Sequence, residues 1–227
     1  MLKIFCIYND MDQFVFYENL SSKELKRRNI YISSKTQIGK NVALSYNISL
    51  IGECVIGDGC EIGCGSVLEN VVIGKCVKIK SSQISNSKIG ARTVVGPFSH
   101  VRENSFIGED CRIGNFVEIK FSNIKNNTKI AHLTYVGDAV VGKNCNIGCG
   151  VVFCNYNGKL KQKCILEDNV FIGSNCNIIA PVKLETGAYV AAGSTINENV
   201  LENQFAIARA KQINKNNFSN PYTENKN

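Results

Sequence analysis

The 227-residue chain has only two histidines, His100 and His132, and no Cys-x-x-Cys pair. It also has no apolar run approaching the roughly 18 residues of a membrane span. Each absence removes a class of function. Two histidines are one short of a three-histidine zinc site, and without paired cysteines the tetrahedral zinc frameworks go as well. Residues 1–34 carry no glycine-rich phosphate loop, so that segment offers no nucleotide cradle of the P-loop kind. The opening MLKIFCIY is apolar, but it reaches Asp10 and Asp12 too soon and has no small-residue cleavage site, so no signal peptide is expected. A formal net charge of +7 favours anionic partners, yet the basic residues form no stripe with interleaved aromatics. Phosphorylated small molecules are therefore expected as partners, not nucleic acid and not a membrane.

Eleven cysteines are present, an odd number in a chain too long for a disulfide-built miniature fold. The expectation is a cytoplasmic protein in which most of them serve as small buried apolar groups.

From Ile38 onward a six-residue rhythm takes over: aliphatic, Gly, two variable positions, small, variable. It reads IGKNVA from Ile38, IGDGCE from Ile56, IGCGSV from Ile62, IGARTV from Ile89, IGEDCR from Ile107 and IGNFVE from Ile113. After VGKNCN from Val141, IGCGVV from Ile147 and IGSNCN from Ile172, it continues in phase to Ile196. Six is three strand periods of two, so the aliphatic residue always faces the same side. The glycine is expected to supply a positive φ at a tight corner. The small fifth residue, which is cysteine at Cys60, Cys111, Cys145 and Cys176, is expected to fill the space inside the next corner. Stacked coils bury what one short strand cannot, which makes this a parallel β-helix solenoid. The period itself does not report its hand.

The segments on either side break the rhythm. Residues 1–34 are read as an N-terminal arm or cap, with MLKIFCIY as a short strand and Ser21 or Ser22 capping a brief helix through SKELKRRN. Residues 35–207 form the solenoid, and the polar tail 208–227 is expected to be disordered. Between Phe153 and Cys164 the insertion CNYNGKLKQKC carries a turn signal and must leave the solenoid wall as a loop.

His132, in the hexad IAHLTY, should point outward, and on its own it would be an idle surface histidine. Its surroundings carry more information. GNFVEIK from Gly114, HLTYVGDA from His132, NIGCGVVFCNYNG from Asn146, FIGSN from Phe171, APV from Ala180, AAGSTI from Ala191 and IARAKQ from Ile207 stand in order. In these motifs the stretch from about Pro97 to Gln212 resembles the C-terminal acetyltransferase domain of the bacterial bifunctional N-acetylglucosamine-1-phosphate uridyltransferase/glucosamine-1-phosphate N-acetyltransferase. The likeness continues more weakly back to about Thr36.

The resemblance implies a left-handed β-helix, about 18 residues per coil and roughly nine coils, assembled as a homotrimer with active sites between subunits. It implies acetyl-CoA as donor and the amine of glucosamine-1-phosphate as acceptor. His132 would be the general base. Arg102, Lys120, Tyr135, Asn146 and Lys161 would hold the phosphosugar, and Cys149, Asn155, Tyr156, Ser174, Ala192 and Arg209 would line the acetyl-CoA site. Glu118 is a candidate to orient His132. These roles suit the residue types, since an imidazole can take the amine proton at neutral pH and cations suit phosphate.

The sequence also departs from the family pattern. No uridyltransferase signature accompanies the motifs, so uridylyl transfer is not expected; Asn157 stands where the family usually has Asp and Cys149 where it usually has Ala. An acetyltransferase for another amino sugar or nucleotide sugar, and a non-catalytic solenoid, remain as alternative readings.

Overall fold

In a computed structural model, which describes residues 14–216, the chain is a left-handed parallel β-helix of about ten coils. Strands of two to four residues stack into three sheets. The first has eleven strands, from Val15–Phe16 to Phe205–Ala206; the second has ten, from Ile30–Ile32 to Thr195–Ile196; the third has nine, from Gln37–Ile38 to Val182–Leu184. Register advances by about one coil of 16 to 18 residues at each step, as from Glu61 to Lys78 to Val94 to Arg112. Asn146 pairs with Phe171 across a longer coil, because that coil contains the expected loop. The count exceeds nine coils because Ile30–Ile32 already pairs in parallel with Ile48–Leu50, ahead of the first legible hexad.

Every second strand residue points inward, and the inward positions are apolar. Ile62, Ile79, Ile113, Ile130 and Ile147 stack in the first sheet, and Leu68, Ile119, Val136 and Phe153 in the second, all nearly inaccessible to solvent. Burying each such side chain is worth about 1.5–3 kcal/mol, which a lone coil could not collect.

The glycine of the hexad does not do what its position suggests. Gly57 and Gly90 do not have positive φ; a Cβ on them would lie 2.6 Å from the carbonyl carbon of Gly74 and 2.5 Å from that of Gly108, in the next coil. They are glycine because successive corners nearly touch. The left-handed residue comes two positions later, and it is often Asn (Asn41, Asn127, Asn144, Asn175) or Gly (Gly59, Gly65), the two residue types that adopt this conformation most readily.

The fifth position is buried at Cys60, Cys111, Cys145 and Cys176, as the hexad implies. These thiols also act as donors: Cys60 Sγ lies 3.0 Å from the Gly74 carbonyl and Cys145 Sγ 3.1 Å from that of Glu167. Thr93 and Thr128 make the equivalent bond with their hydroxyls. Cysteine and threonine both serve at this position because both are small and both donate, whereas Val42 and Val117 fill it without a donor. Burial raises the pKa of the Cys60, Cys111 and Cys145 thiols above the usual range.

The N-terminal segment covers one open end of the solenoid. Val15–Phe16 pairs antiparallel with Ala43–Leu44, and Tyr17, Leu20 and Leu25 pack on the core. The helix Ser22–Arg27 starts at Ser21, whose hydroxyl accepts the Glu24 N–H at 3.3 Å, and ends with Lys26 and Arg27 at its negative pole. The strand expected at MLKIFCIY and the last part of the tail, 217–227, lie outside the described residues. Among the described residues no helix is long and apolar enough to cross a membrane.

Candidate functional site

His132 ends the strand Lys129–His132 at the corner where the first sheet gives way to the second, and its side chain is exposed. Asn115 occupies the same place one coil earlier and is its Cα partner. Oδ1 of Asn115 is hydrogen-bonded to Nδ1 of the imidazole. An amide oxygen can only accept, so this bond selects the tautomer in which Nδ1 carries the proton, and in the neutral ring the lone pair is then at Nε2. The expected orienting group, Glu118, is engaged elsewhere: its Oε1 accepts from Arg102 Nε at 2.9 Å and from Nη2 at 2.6 Å. Glu118 stacks between His100 and Tyr135 on the second sheet, whereas the corner that holds His132 belongs to Asn115.

The same corner continues upward as a row. The N–H of Gly150 donates to the His132 carbonyl, that of Asn175 to the Cys149 carbonyl and that of Gly193 to the Ser174 carbonyl. His132, Cys149, Ser174 and Ala192 thus stand above one another on one edge, and Arg209 closes the row by donating from Nη1 to the Ala192 carbonyl at 3.2 Å. On the edge between the third and first sheets, the corresponding N–H groups of Lys40, Glu109 and Lys143 are capped by side-chain oxygens of Asp58, Asn126 and Asp168. On the His132 edge, no acceptor among the described residues takes the N–H of Cys149, Ser174 or Ala192. A line of unpaired donors is an arrangement suited to a ligand rich in oxygen.

A cationic cluster lies on the outer face of the second sheet, at its far margin. Arg102 and Lys120 are Cα partners, and their side chains are 26% and 15% exposed. Glu103 lies 2.6 Å from Arg102 Nη1 and 3.0 Å from Lys120 Nζ. Lys161, from the loop, stands near Lys120 and adds a third cation to the cluster. The Lys120 pKa is raised, first by the Glu103 hydrogen bond, and the Glu103 carboxyl is held low, first by that from Lys120. Hydrogen bonds to Glu118, first, then the charges of Glu118 and Glu103 raise Arg102.

Tyr135 stands between the two margins. Its ring lies over Gly137, where a Cβ would meet the ring at 2.7 Å, so the glycine makes room for it. Asn155, nearly buried, donates from Nδ2 to Asp138 at 2.6 Å and to the Tyr135 hydroxyl at 3.4 Å. The loop then folds back on itself through a bridge between Tyr156 and Lys161, with the Asn157 side chain accepting the N–H groups of Lys159 and Leu160.

The sequence-derived residues therefore fall into three places. Arg102, Lys120, Tyr135 and Lys161 gather on the second sheet with Asn155, and Tyr156 lies on the exposed loop beside them. His132, Cys149, Ser174, Ala192 and Arg209 form the row at the first corner. Asn146 lies around that corner on the outer face of the first sheet, between Lys129 and Phe171. Three contributors were not singled out in the sequence: Asn115, Glu103 and Asp138. The first and last sit inside quoted motifs, and Asn115 precedes His132 by one coil; Glu103 had only its place beside Arg102 to mark it.

Residues 83–156 match the family model of the GMPPB C-terminal domain, and residues 163–198 match that of the bacterial transferase hexapeptide (six repeats). The chain is 47% identical over 188 residues to the bifunctional protein GlmU of Shouchella clausii, covering 83% of this chain and 41% of that protein. The bifunctional protein GlmU of Clostridium novyi is 49% identical over 187 residues, with 82% and 41% covered. The chain thus spans about two-fifths of the length of the curated relatives it matches. Among solved structures, the Arabidopsis UDP-N-acetylglucosamine acyltransferase has a similar fold, with a TM-score of 0.53 at 15% identity over 79% of this chain and 70% of that one. The hexapeptide match and the near-half identity over more than four-fifths of its residues make the chain similar to the C-terminal acetyltransferase domain of the bifunctional GlmU proteins.

Proposed function

We propose that this chain is a cytoplasmic N-acetyltransferase that moves the acetyl group of acetyl-CoA to the amine of glucosamine-1-phosphate, working as a homotrimer. The observation that carries the reading is the His132 imidazole, held at Nδ1 by Asn115 and placed between a row of open backbone N–H groups and a cluster of cations. The row suits the donor. From His132 to Ala192 it rises three coils, about 14 Å at the usual strand spacing, along which an extended pantetheine arm can lie.

Acetyl-CoA supplies the thioester carbonyl. Arg102, Lys120 and Lys161 hold the acceptor phosphate, with Tyr135 beside its ring. His132 Nε2 takes a proton from the amine as the nitrogen lone pair forms the new C–N bond. Asn115 steadies the resulting imidazolium at Nδ1, and His132 then returns the proton to the departing sulfur, so that amide and thiol are the only products. The Cys149 N–H faces the negative charge that develops on the carbonyl oxygen, a contribution typically worth about 3 kcal/mol.

A thiol-release assay with glucosamine-1-phosphate tests this. Wild type should release CoA, and His132→Ala should lose about 100- to 10,000-fold in turnover while keeping its melting temperature. No release by folded wild type, or equal release by the variant, would sink the mechanism. Strong preference for a UDP-linked amino sugar would move the acceptor to another class.

A further inference from the structure

The place proposed for the acceptor phosphate already holds a carboxylate of the chain itself. Glu103 follows Arg102 at the corner between the second and third sheets, in a left-handed conformation with φ 53°. Its Oε1 accepts from Arg102 Nη1 at 2.6 Å, and its Oε2 lies 3.0 Å from Lys120 Nζ. Glu118 takes the other edge of the guanidinium, so both sides of Arg102 are occupied. Lys161 has no ion pair among the described residues.

Glu103 and Glu118 differ in what else holds them. Glu118 is on a strand, between His100 and Tyr135, and is part of the wall. Glu103 is on a corner, its side chain 38% exposed against 15% for Lys120, so it covers the lysine from the solvent side. A phosphate needs the same two donors, and two anions in one seat repel.

We propose that Glu103 is an internal competitor for the anionic group of the acceptor. It bridges Arg102 and Lys120 in the free chain and turns out to solvent when a phosphate takes its place. The inference rests on the proposed acceptor being a sugar phosphate. Its consequence is selectivity: a phosphate dianion repays the displacement of one carboxylate, whereas an uncharged amino sugar cannot and is turned away.

Glu103→Gln keeps the shape and removes the charge. Its KM for glucosamine-1-phosphate should fall roughly fivefold, with kcat and the KM for acetyl-CoA unchanged. Glu103→Ala should behave alike, while Glu61→Gln, whose carboxylate pairs with Lys78 on the first sheet, should change nothing. Calorimetry with inorganic phosphate reads the same seat without turnover and should show tighter binding in both Glu103 variants. An acceptor KM and phosphate affinity unchanged within about twofold, or weakened, would overturn the competitor role. Tighter phosphate binding in variants whose parent acetylates no sugar phosphate would support Glu103 and count against the proposed acceptor instead.

Discussion

Asn115 and His132 are partners twice over, as Cα neighbours in adjacent coils and as the two ends of an Oδ1 to Nδ1 hydrogen bond. The bond fixes which ring nitrogen is basic, and a hydrogen bond to a group that becomes charged is worth about 1.5–3 kcal/mol, or roughly 10- to 100-fold in rate. Asn115→Ala should therefore lower kcat by about that factor with little change in either KM. Asn115→Asp should retain more activity, and the acid limb of its pH profile should move to higher pH, because a carboxylate stabilises the imidazolium and the base must be neutral to act. A merely structural asparagine would leave that limb in place.

The hexad IGCGSV contains two glycines that should respond differently to substitution. A Cβ at Gly63 would lie 2.9 Å from the Ile79 carbonyl oxygen and 3.2 Å from the Lys80 Cα, both backbone atoms of the next coil. Gly65 has φ 72° and open space around it. Gly63→Ala should cost about 1–3 kcal/mol in chemical denaturation. Gly65→Asn should stay within about 0.5 kcal/mol, since asparagine fills the same left-handed position at Asn127 and Asn144. Equal losses at the two sites would mean that the corners are not held apart by steric contact.

What the sequence made legible follows from the same geometry. Six-residue spacing is commensurate with strand alternation, so the three inward rows and the buried Cys60, Cys111, Cys145 and Cys176 could be read directly. The glycines were misread because a close approach between coils and a positive φ both select glycine, and a single sequence does not separate them. Asn115 and Cys149 each stand one coil from His132, but Ser174 is displaced further along the chain by the loop, which breaks any fixed spacing. The resemblance grouped Asn146 with Tyr135 and Asn155 with Ser174; within one chain the coil puts Asn146 on the first sheet and Tyr135 on the second, and Asn155 beside Asp138, away from the corner that holds Ser174. The choice of Glu118 for Arg102, and of Glu103 for Lys120, is made by side chains reaching across coils, which no periodicity records.

The separation of Asn146 from the second-sheet cluster leads to a test of assembly. Within one chain Asn146 faces outward from the first sheet, while Lys120 and Arg102 face outward from the second. If both act on one acceptor, a neighbouring subunit must bring its first sheet against the second sheet of this one, as a ring with head-to-tail contacts does. Asn146→Ala and Lys120→Ala should then each be nearly inactive alone. Unfolded, mixed in equal amounts and refolded together, they should recover about a quarter of wild-type activity, because about one site in four draws both intact residues from different chains. A site confined to one chain would recover nothing, and light scattering on the same mixture would report whether the proposed trimer had formed.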